Sequence, residues 1–380
     1  MSGNKYTTLL VVLVLFSSAA CQRRANITQQ APPATTVSEQ QAAAGGVTPA
    51  QEVKYFRGSI GSALGLQMKL IREGEKLFGS YYYQKVGQKI DLRGTIDQAN
   101  MVVLEEFDEK GKQTGVFKGH WTIDETGLIN IAGNWTRPAG DKQTAFSLHQ
   151  EPIEFSGPVE IAGKQIKEKK TKPPYEIDVE YPQVTGSTNP AVEKFNQQAR
   201  ALVNEEVRSF RAAMADFADE EIETSTTGSD LGIGYTVALA SDDLISIDFG
   251  IGGYYQGAAH PNSHSRVLNF DLKNGKPLRL ADLFKPEARY LQVISDYCIK
   301  DLQKQSKSKD NMLDDESIRG GAGPNAKNYQ SWTISKRGLG INFDAYQVGP
   351  YAAGPQFVLV PYSAIKDSIK PDGPLAALVK

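Results

Sequence analysis

The chain has few of the residues that build metal and redox centres: four histidines and two cysteines, Cys21 and Cys298, in 380 residues. Neither sign of charge is in excess. With 42 Lys and Arg against 44 Asp and Glu, the net charge is -2 and the pI is near 6.2. The lack of a basic surplus argues against nucleic acid as a partner. The longest apolar run, Leu9 to Phe16, is too short to span a bilayer, which takes about 20 residues. No Gly-x-Ser-x-Gly elbow, Walker loop or dinucleotide fingerprint is present. What is there is ordinary globular usage, 40% hydrophobic and 23% charged. The length suits two or three domains of about 150 residues.

The apolar run follows a lysine and ends in small residues, as a signal-peptide core does. Its close, Ser18-Ala19-Ala20-Cys21, resembles the lipobox of bacterial lipoproteins, although Leu is usual at the position of Ser18. The resemblance implies a signal peptide over 1–20, lipid on Cys21, and a membrane as partner. Ordinary secretion with cleavage near Ala20 is the alternative. In a host with two membranes, Gln22 in place of an aspartate favours the outer one. Residues 22–52 contain no aromatic and cannot bury enough apolar surface to fold, so 21–53 reads as a flexible tether. As a random coil it spans on the order of 30 Å. A lipidated Cys21 leaves Cys298 without a disulfide partner. Its spacing from Leu291 and Ile294 places it in a core.

From 54 to 150 the pattern is short and alternating, as in "LGLQMKLIR", "KIDLRGTI" and "TGVFKGHW", with turn signals such as Asp124-Glu125-Thr126-Gly127 between segments. This predicts an all-β antiparallel meander or small barrel. Residues 151–173, ending in "KQIKEKKTKPP", read as a solvated linker. Over 174–371 the elements mix. "YEIDVEYP" alternates as a strand, and Asn189-Pro190 is a good helix start. Val192, Phe195, Ala199, Leu202, Val207, Phe210 and Met214 trace one helical face. A second helix is expected from about Pro286 to Gln305. The fold class expected is α+β, an antiparallel sheet with two long helices packed on it.

Three stretches in this last region carry a resemblance: "GAAHPNSHSRVLNFDLKNGKPLRLADLF", "FDAYQVGPYAAGPQFVLVPY", and the strand and long helix from Tyr175. Together they resemble the RsiV-type extracytoplasmic domain, also found as an accessory region of the peptidoglycan deacetylase PdaC. The resemblance covers about residues 172–370. It implies a non-catalytic binding domain whose partner is a lysozyme-like muramidase or a peptidoglycan fragment. The cytoplasmic and membrane-spanning parts of the RsiV type and the catalytic domain of PdaC are not expected here, so neither signalling nor deacetylation is implied.

The candidate chemistry centres on His260 and His264. A paired-histidine zinc site needs a helix, a glutamate between the histidines and a third ligand. Pro261 follows His260 at once and disfavours helix, so no metal or cofactor is expected. A rigid loop is the better reading, with His260, Asn262 and His264 near the "VGPYAAGP" loop. Tyr254, Tyr255, Tyr346 and Tyr351 supply rings for contact or for the end of the core. An envelope glycan hydrolase using His260 with an unidentified carboxylate is the competing reading. Glu105-Glu106 point to opposite faces of a strand and do not make a catalytic pair. Asp310, Asp314, Asp315 and Glu316 lack calcium-loop spacing.

Overall fold

In the computed structural model, residues 52–61, 64–83, 89–140, 143–216, 228–308 and 312–379 are described. Cys21, the signal peptide, the tether up to 51 and Asp310 lie outside these residues.

Eight strands close into an antiparallel barrel in sequence order: β1 (Glu52–Ile60), β2 (Leu64–Glu73), β3 (Lys76–Tyr83), β4 (Lys89–Ile96), β5 (Met101–Phe107), β6 (Gln113–Ile123), β7 (Ile129–Thr136) and β8 (Gln143–Glu151). The period-2 alternation decides the interior. In β6, Gly115, Phe117, Gly119 and Trp121 are buried while Lys118, His120 and Thr122 are exposed. The turns use aspartate: Asp124 Oδ1 accepts from the backbone N–H groups of Thr126 and Leu128, and Gly127 takes the left-handed conformation with φ 80. Phe56, Leu66, Met68, Tyr81 and Phe117 fill the interior, so the barrel is packed rather than hollow. Glu105 faces solvent. Glu106 is buried, accepting from the Tyr81 hydroxyl at 2.6 Å and Trp135 Nε1 at 3.1 Å. The two carboxylates do point apart.

The second region is α+β, divided between two sheets. The larger has seven strands: β10 (Glu160–Thr171), β11 (Pro174–Thr185), β12 (Ser229–Ser241), β13 (Leu244–Tyr254), β14 (Asn262–Asp271) and β15 (Lys276–Pro277), with β9 (Ile153–Glu154) beside β12. Helix α1 (Pro190–Asp216) connects β11 to β12, which is why those two pair in parallel. Asn189 Oδ1 accepts from the Ala191 N–H at 2.9 Å, satisfying a donor at the helix start. The stripe Val192, Phe195, Ala199, Val203, Val207, Phe210 and Met214 is buried against Ile177, Val179, Ile247 and Phe249.

The smaller sheet, β16 (Trp332–Ile334), β17 (Gly338–Phe343) and β18 (Gln356–Pro361), packs with α2 (Tyr290–Gln305) and α3 (Asp315–Gly321). Helix α2 thus begins at Tyr290, later than Pro286, and its apolar face serves a separate core. Cys298 is buried there, and burial pushes its thiol up, away from reactivity. Asp314 caps α3 by accepting from Ser317 N, and Asp315 pairs with Arg319.

The charged run expected to be a connector is strand β10. Its lysines pair across to β11, Lys167 with Asp178 at 3.4 Å and Lys169 with Glu176 at 3.3 Å, while Ile161 faces the core. Charge complementarity between strands, rather than apolar alternation, makes this ladder.

Barrel and sheet meet at Arg57 of β1. Its Nε donates to Glu151 Oε1 at 3.0 Å, its Nη1 to Glu180 Oε1 at 3.3 Å, and its guanidinium lies 4.2 Å from the Tyr235 ring centre. Gln67 Nε2 reaches Tyr235 Oη at 3.1 Å, and the Tyr82 hydroxyl donates to Gln67.

Candidate functional site

The two histidines part company. His260 lies in the bend that ends the β13–β14 connection, and His264 lies within β14, opposite Ile251 on the face that meets α1. His264 Nε2 approaches Glu206 of α1 at 4.0 Å, beside the Arg266–Glu206 contact at 2.7 Å. Proline at 261 and the extended start of β14 exclude the helical pairing that a zinc site would use. Among the described residues, no cluster of three metal-ligating side chains occurs.

His260 instead joins the second loop. Its ring stacks on Tyr351 with centroids 4.0 Å apart and planes at 25°, and Tyr346 stands 5.4 Å from Tyr351. The Pro261 carbonyl accepts from the Tyr351 hydroxyl at 2.8 Å and from His260 Nδ1 at 2.9 Å. A carbonyl can only accept, so Nδ1 donates, and Nε2 lies 3.3 Å from the Tyr346 hydroxyl. The ring nitrogens thus meet a carbonyl and a hydroxyl rather than a carboxylate. Tyr346 holds a positive φ of 72 and is 63% exposed. A bulky residue in that conformation is strained and held by its surroundings. The result is an exposed aromatic edge that carries polar groups.

The other candidates sit elsewhere. Tyr255 lies 5.6 Å from the Phe210 ring of α1 and stays 37% exposed. Tyr254 is half-buried at the end of β13, opposite Asp230. Asn262 opens β14 opposite Gly253 and is exposed. Beside the edge, Asp344 Oδ1 accepts from Ser265 N at 2.9 Å. Asp248 accepts from Ser265 Oγ at 3.1 Å and from Asn342 Nδ2 at 2.6 Å. Burial pushes both carboxyls up from the usual carboxylate range.

A cleft of about 560 Å³ opens where the barrel, the seven-stranded sheet and the smaller sheet converge. Arg57, Glu151, Thr236, Asp248, Asn342 and Phe357 line it. An adjoining groove of about 430 Å³ has Ile123 and Phe357 on its lips, 69% and 53% exposed. These residues are far apart in sequence, and no local pattern links them.

Residues 168–263 match the family described as Deacetylase PdaC, and residues 281–363 match the Protein of unknown function (DUF3298) family. The Peptidoglycan-N-acetylmuramic acid deacetylase PdaC of Bacillus subtilis is 27% identical over 251 residues, 66% of this chain and 50% of that protein. The Immunogenic protein MPT64 of Mycobacterium tuberculosis is 30% identical over 109 residues, 29% of this chain and 45% of that protein. The chain spans about half the length of the curated relatives it matches. A solved DUF3298 family member from Bacteroides fragilis superposes with a TM-score of 0.45 at 20% identity, covering 59% of this chain and 98% of that one. The matches support a PdaC-like and DUF3298 kinship for the second region; the barrel at 52–151 lies outside both family matches. Among the described residues, no helix is long and apolar enough to cross a membrane.

Proposed function

We propose that this chain is a lipid-anchored, non-catalytic binding protein of the bacterial cell envelope, held through Cys21, whose partner is a lysozyme-like muramidase or a peptidoglycan fragment. In a host with two membranes its place is the outer one. The observation that carries the binding site is the His260–Tyr346–Tyr351 edge. It joins one loop from each of the two family-matched stretches, rigidly and on the surface. Exposed tyrosines give contact area at low entropic cost, and their rings also stack on sugars. The envelope setting is supported by the relative named for peptidoglycan deacetylation and by the lipobox-like ending at Cys21.

Capture from envelope extract, with a purified muramidase and with muramidase-released peptidoglycan fragments as separate arms, tests the reading. Replacing His260, Tyr346 and Tyr351 together with Ala should weaken capture by about 1 to 3 kcal/mol, through lost ring contact and unpaired loop groups. Unchanged capture by the triple variant in both arms would remove the edge from the site. Release of new reducing ends from peptidoglycan by the wild type, absent in His260→Ala, would favour a hydrolase. Cys21→Ser should leave the protein soluble or uncleaved. A correctly cleaved mutant that stays with the membrane fraction sinks the anchor.

A further inference from the structure

The lane beside β12 is broken. β13 occupies one side of this strand from Asp230 to Ala240. On the other side β11 pairs with it in parallel from Ser229 to Ile233, and β9 pairs with it in parallel at Ala240 and Ser241. Between these, Gly234 to Leu239 have no strand partner on that side among the described residues. At about 3.3 Å per residue the gap is roughly 20 Å long. Its two ends are closed. At one, the Arg57 guanidinium lies 4.2 Å from the Tyr235 ring centre; at the other, the Pro152 carbonyl accepts from the Ala240 N–H at 2.9 Å. The middle, Thr236 to Ala238, lines the cleft of about 560 Å³. Val237 is 2% exposed with its side chain in the α1 core, so what it gives the cleft wall is main chain. Among the described residues, no main-chain hydrogen bond outside the β12–β13 ladder reaches Thr236, Val237 or Ala238.

We infer that this break is a docking slot for an extended peptide, which completes the lane between β11 and β9. Main-chain N–H and C=O groups are obligatory hydrogen-bonding groups, and a strand with a free side takes up an added strand through them. Sheets keep such free edges short or covered because they pair with other chains. This one is short and opens only at the cleft. Alternation supplies the side-chain preference. In a strand laid in the lane, side chains on the face of Thr236 and Ala238 point into the space between the barrel and the smaller sheet. There they meet Leu128 and Pro152 on one wall and Phe357 and Leu359 of β18 on the other. Phe357 is 53% exposed although its ring lies close over Gly340, where a Cβ would come within 2.8 Å of it. It is an uncovered apolar side chain at the mouth, beside the groove that Ile123 borders. The occupant is therefore a peptide with an aromatic or large aliphatic side chain at its centre. A saccharide could stack on Phe357 but presents no regular row of donors and acceptors at strand spacing, so the unpaired main chain favours the peptide.

The slot is separate from the aromatic edge at His260, and its test does not draw on the envelope reading. The full chain is titrated with the peptide acetyl-Lys-Thr-Val-Phe-Val-Thr-Lys-amide, and with the same peptide N-methylated at its three central residues. Methylation keeps the side chains and removes the donors. The parent peptide should bind and should slow amide hydrogen exchange in the segment 234–239, and methylation should lower affinity at least tenfold. Phe357→Ser should lose at least tenfold for the parent peptide while melting at the wild-type temperature. Absence of binding by the parent, equal binding by the methylated peptide, or exchange in 234–239 that binding leaves unaltered overturns the slot. Wild-type affinity in Phe357→Ser overturns the apolar mouth. If a β-1,4-linked N-acetylglucosamine tetramer slows exchange there and the peptide does not, the occupant is a saccharide and the proposal fails.

Discussion

Glycines within the barrel strands and the facing glycines of β12 and β13 obey opposite constraints. A Cβ on Gly58, Gly79 or Gly94 would lie 1.9 Å from a carbonyl oxygen of the neighbouring strand, whereas one on Gly234 or Gly250 would meet nothing within 4 Å. In the barrel, glycine permits strands to press together where a closed sheet of eight bends sharply. In the open sheet it leaves a surface uncovered. The same residue marks close strand approach at Gly94 and open space at Gly234, and only the distances distinguish them.

The sharpest test of that contrast is Gly94→Ala against Gly234→Ala. The first forces a methyl group against the Val103 carbonyl and should lower stability by about 3 kcal/mol or more, read from denaturant midpoints. The second should change it by less than about 1 kcal/mol, in the stabilising direction. Similar losses from both would mean that the sheet glycines are structural after all.

Arg57 is the charged centre of the junction between the two regions, beside Gln67–Tyr235 and Lys69–Glu160. Replacing it with Ala leaves Glu151 and Glu180 near each other and largely buried without their shared cation. A loss of about 3 kcal/mol is expected, and calorimetry should show one cooperative transition for the wild type and two for the variant. A calorimetric trace that stays single and unshifted would show that the contact between barrel and sheet does not depend on this residue.

The smallest effect concerns pH. Asp248 has its folded-state carboxyl raised by burial, above its unfolded value. Its contribution is therefore fully present below the unfolded value and is lost as pH rises through the folded one. Asp248→Asn should gain on the wild type in thermal midpoint across that window, from the acid side towards neutrality. Using the difference between the two proteins removes carboxylates of opposite sign, such as Glu168, which Tyr175 and Arg211 hold low. A constant difference across the window would mean that Asp248 ionises as freely in the fold as outside it.

Most of the architecture was legible in the sequence because it rests on local periodicity. The alternation of 54–150 gave barrel strands, and the stripe from Val192 to Met214 gave α1 with its cap at Asn189. β10 was not legible, because "KQIKEKK" is polar on both faces when read alone and becomes a ladder only opposite Asp178 and Glu176. Of the seven loop candidates, His260, Tyr346 and Tyr351 come together. His264 and Tyr255 do not, since in β14 and at the end of β13 their direction is set by α1. The paired sheet glycines leave a readable trace: "LGIGYT" and "FGIGGY" each carry Gly-x-Gly, and two such strands in antiparallel register align their glycines. The cleft left none, because its walls come from segments up to several hundred residues apart.

The seam of the barrel also imposes an order of events on folding. Every other barrel pairing joins neighbours in sequence, but β1 meets β8 only after the whole meander exists; Arg57 and Glu151, which bond across that seam, are 94 positions apart. Closing a loop of that length is entropically late and slow compared with forming hairpins. Glu180 shares the same guanidinium, so the ion-pair cluster at the junction cannot be complete until the seam has closed. With the seam open, the meander would expose two strand edges and lack the Arg57–Glu151 bond that helps join it to its sheet.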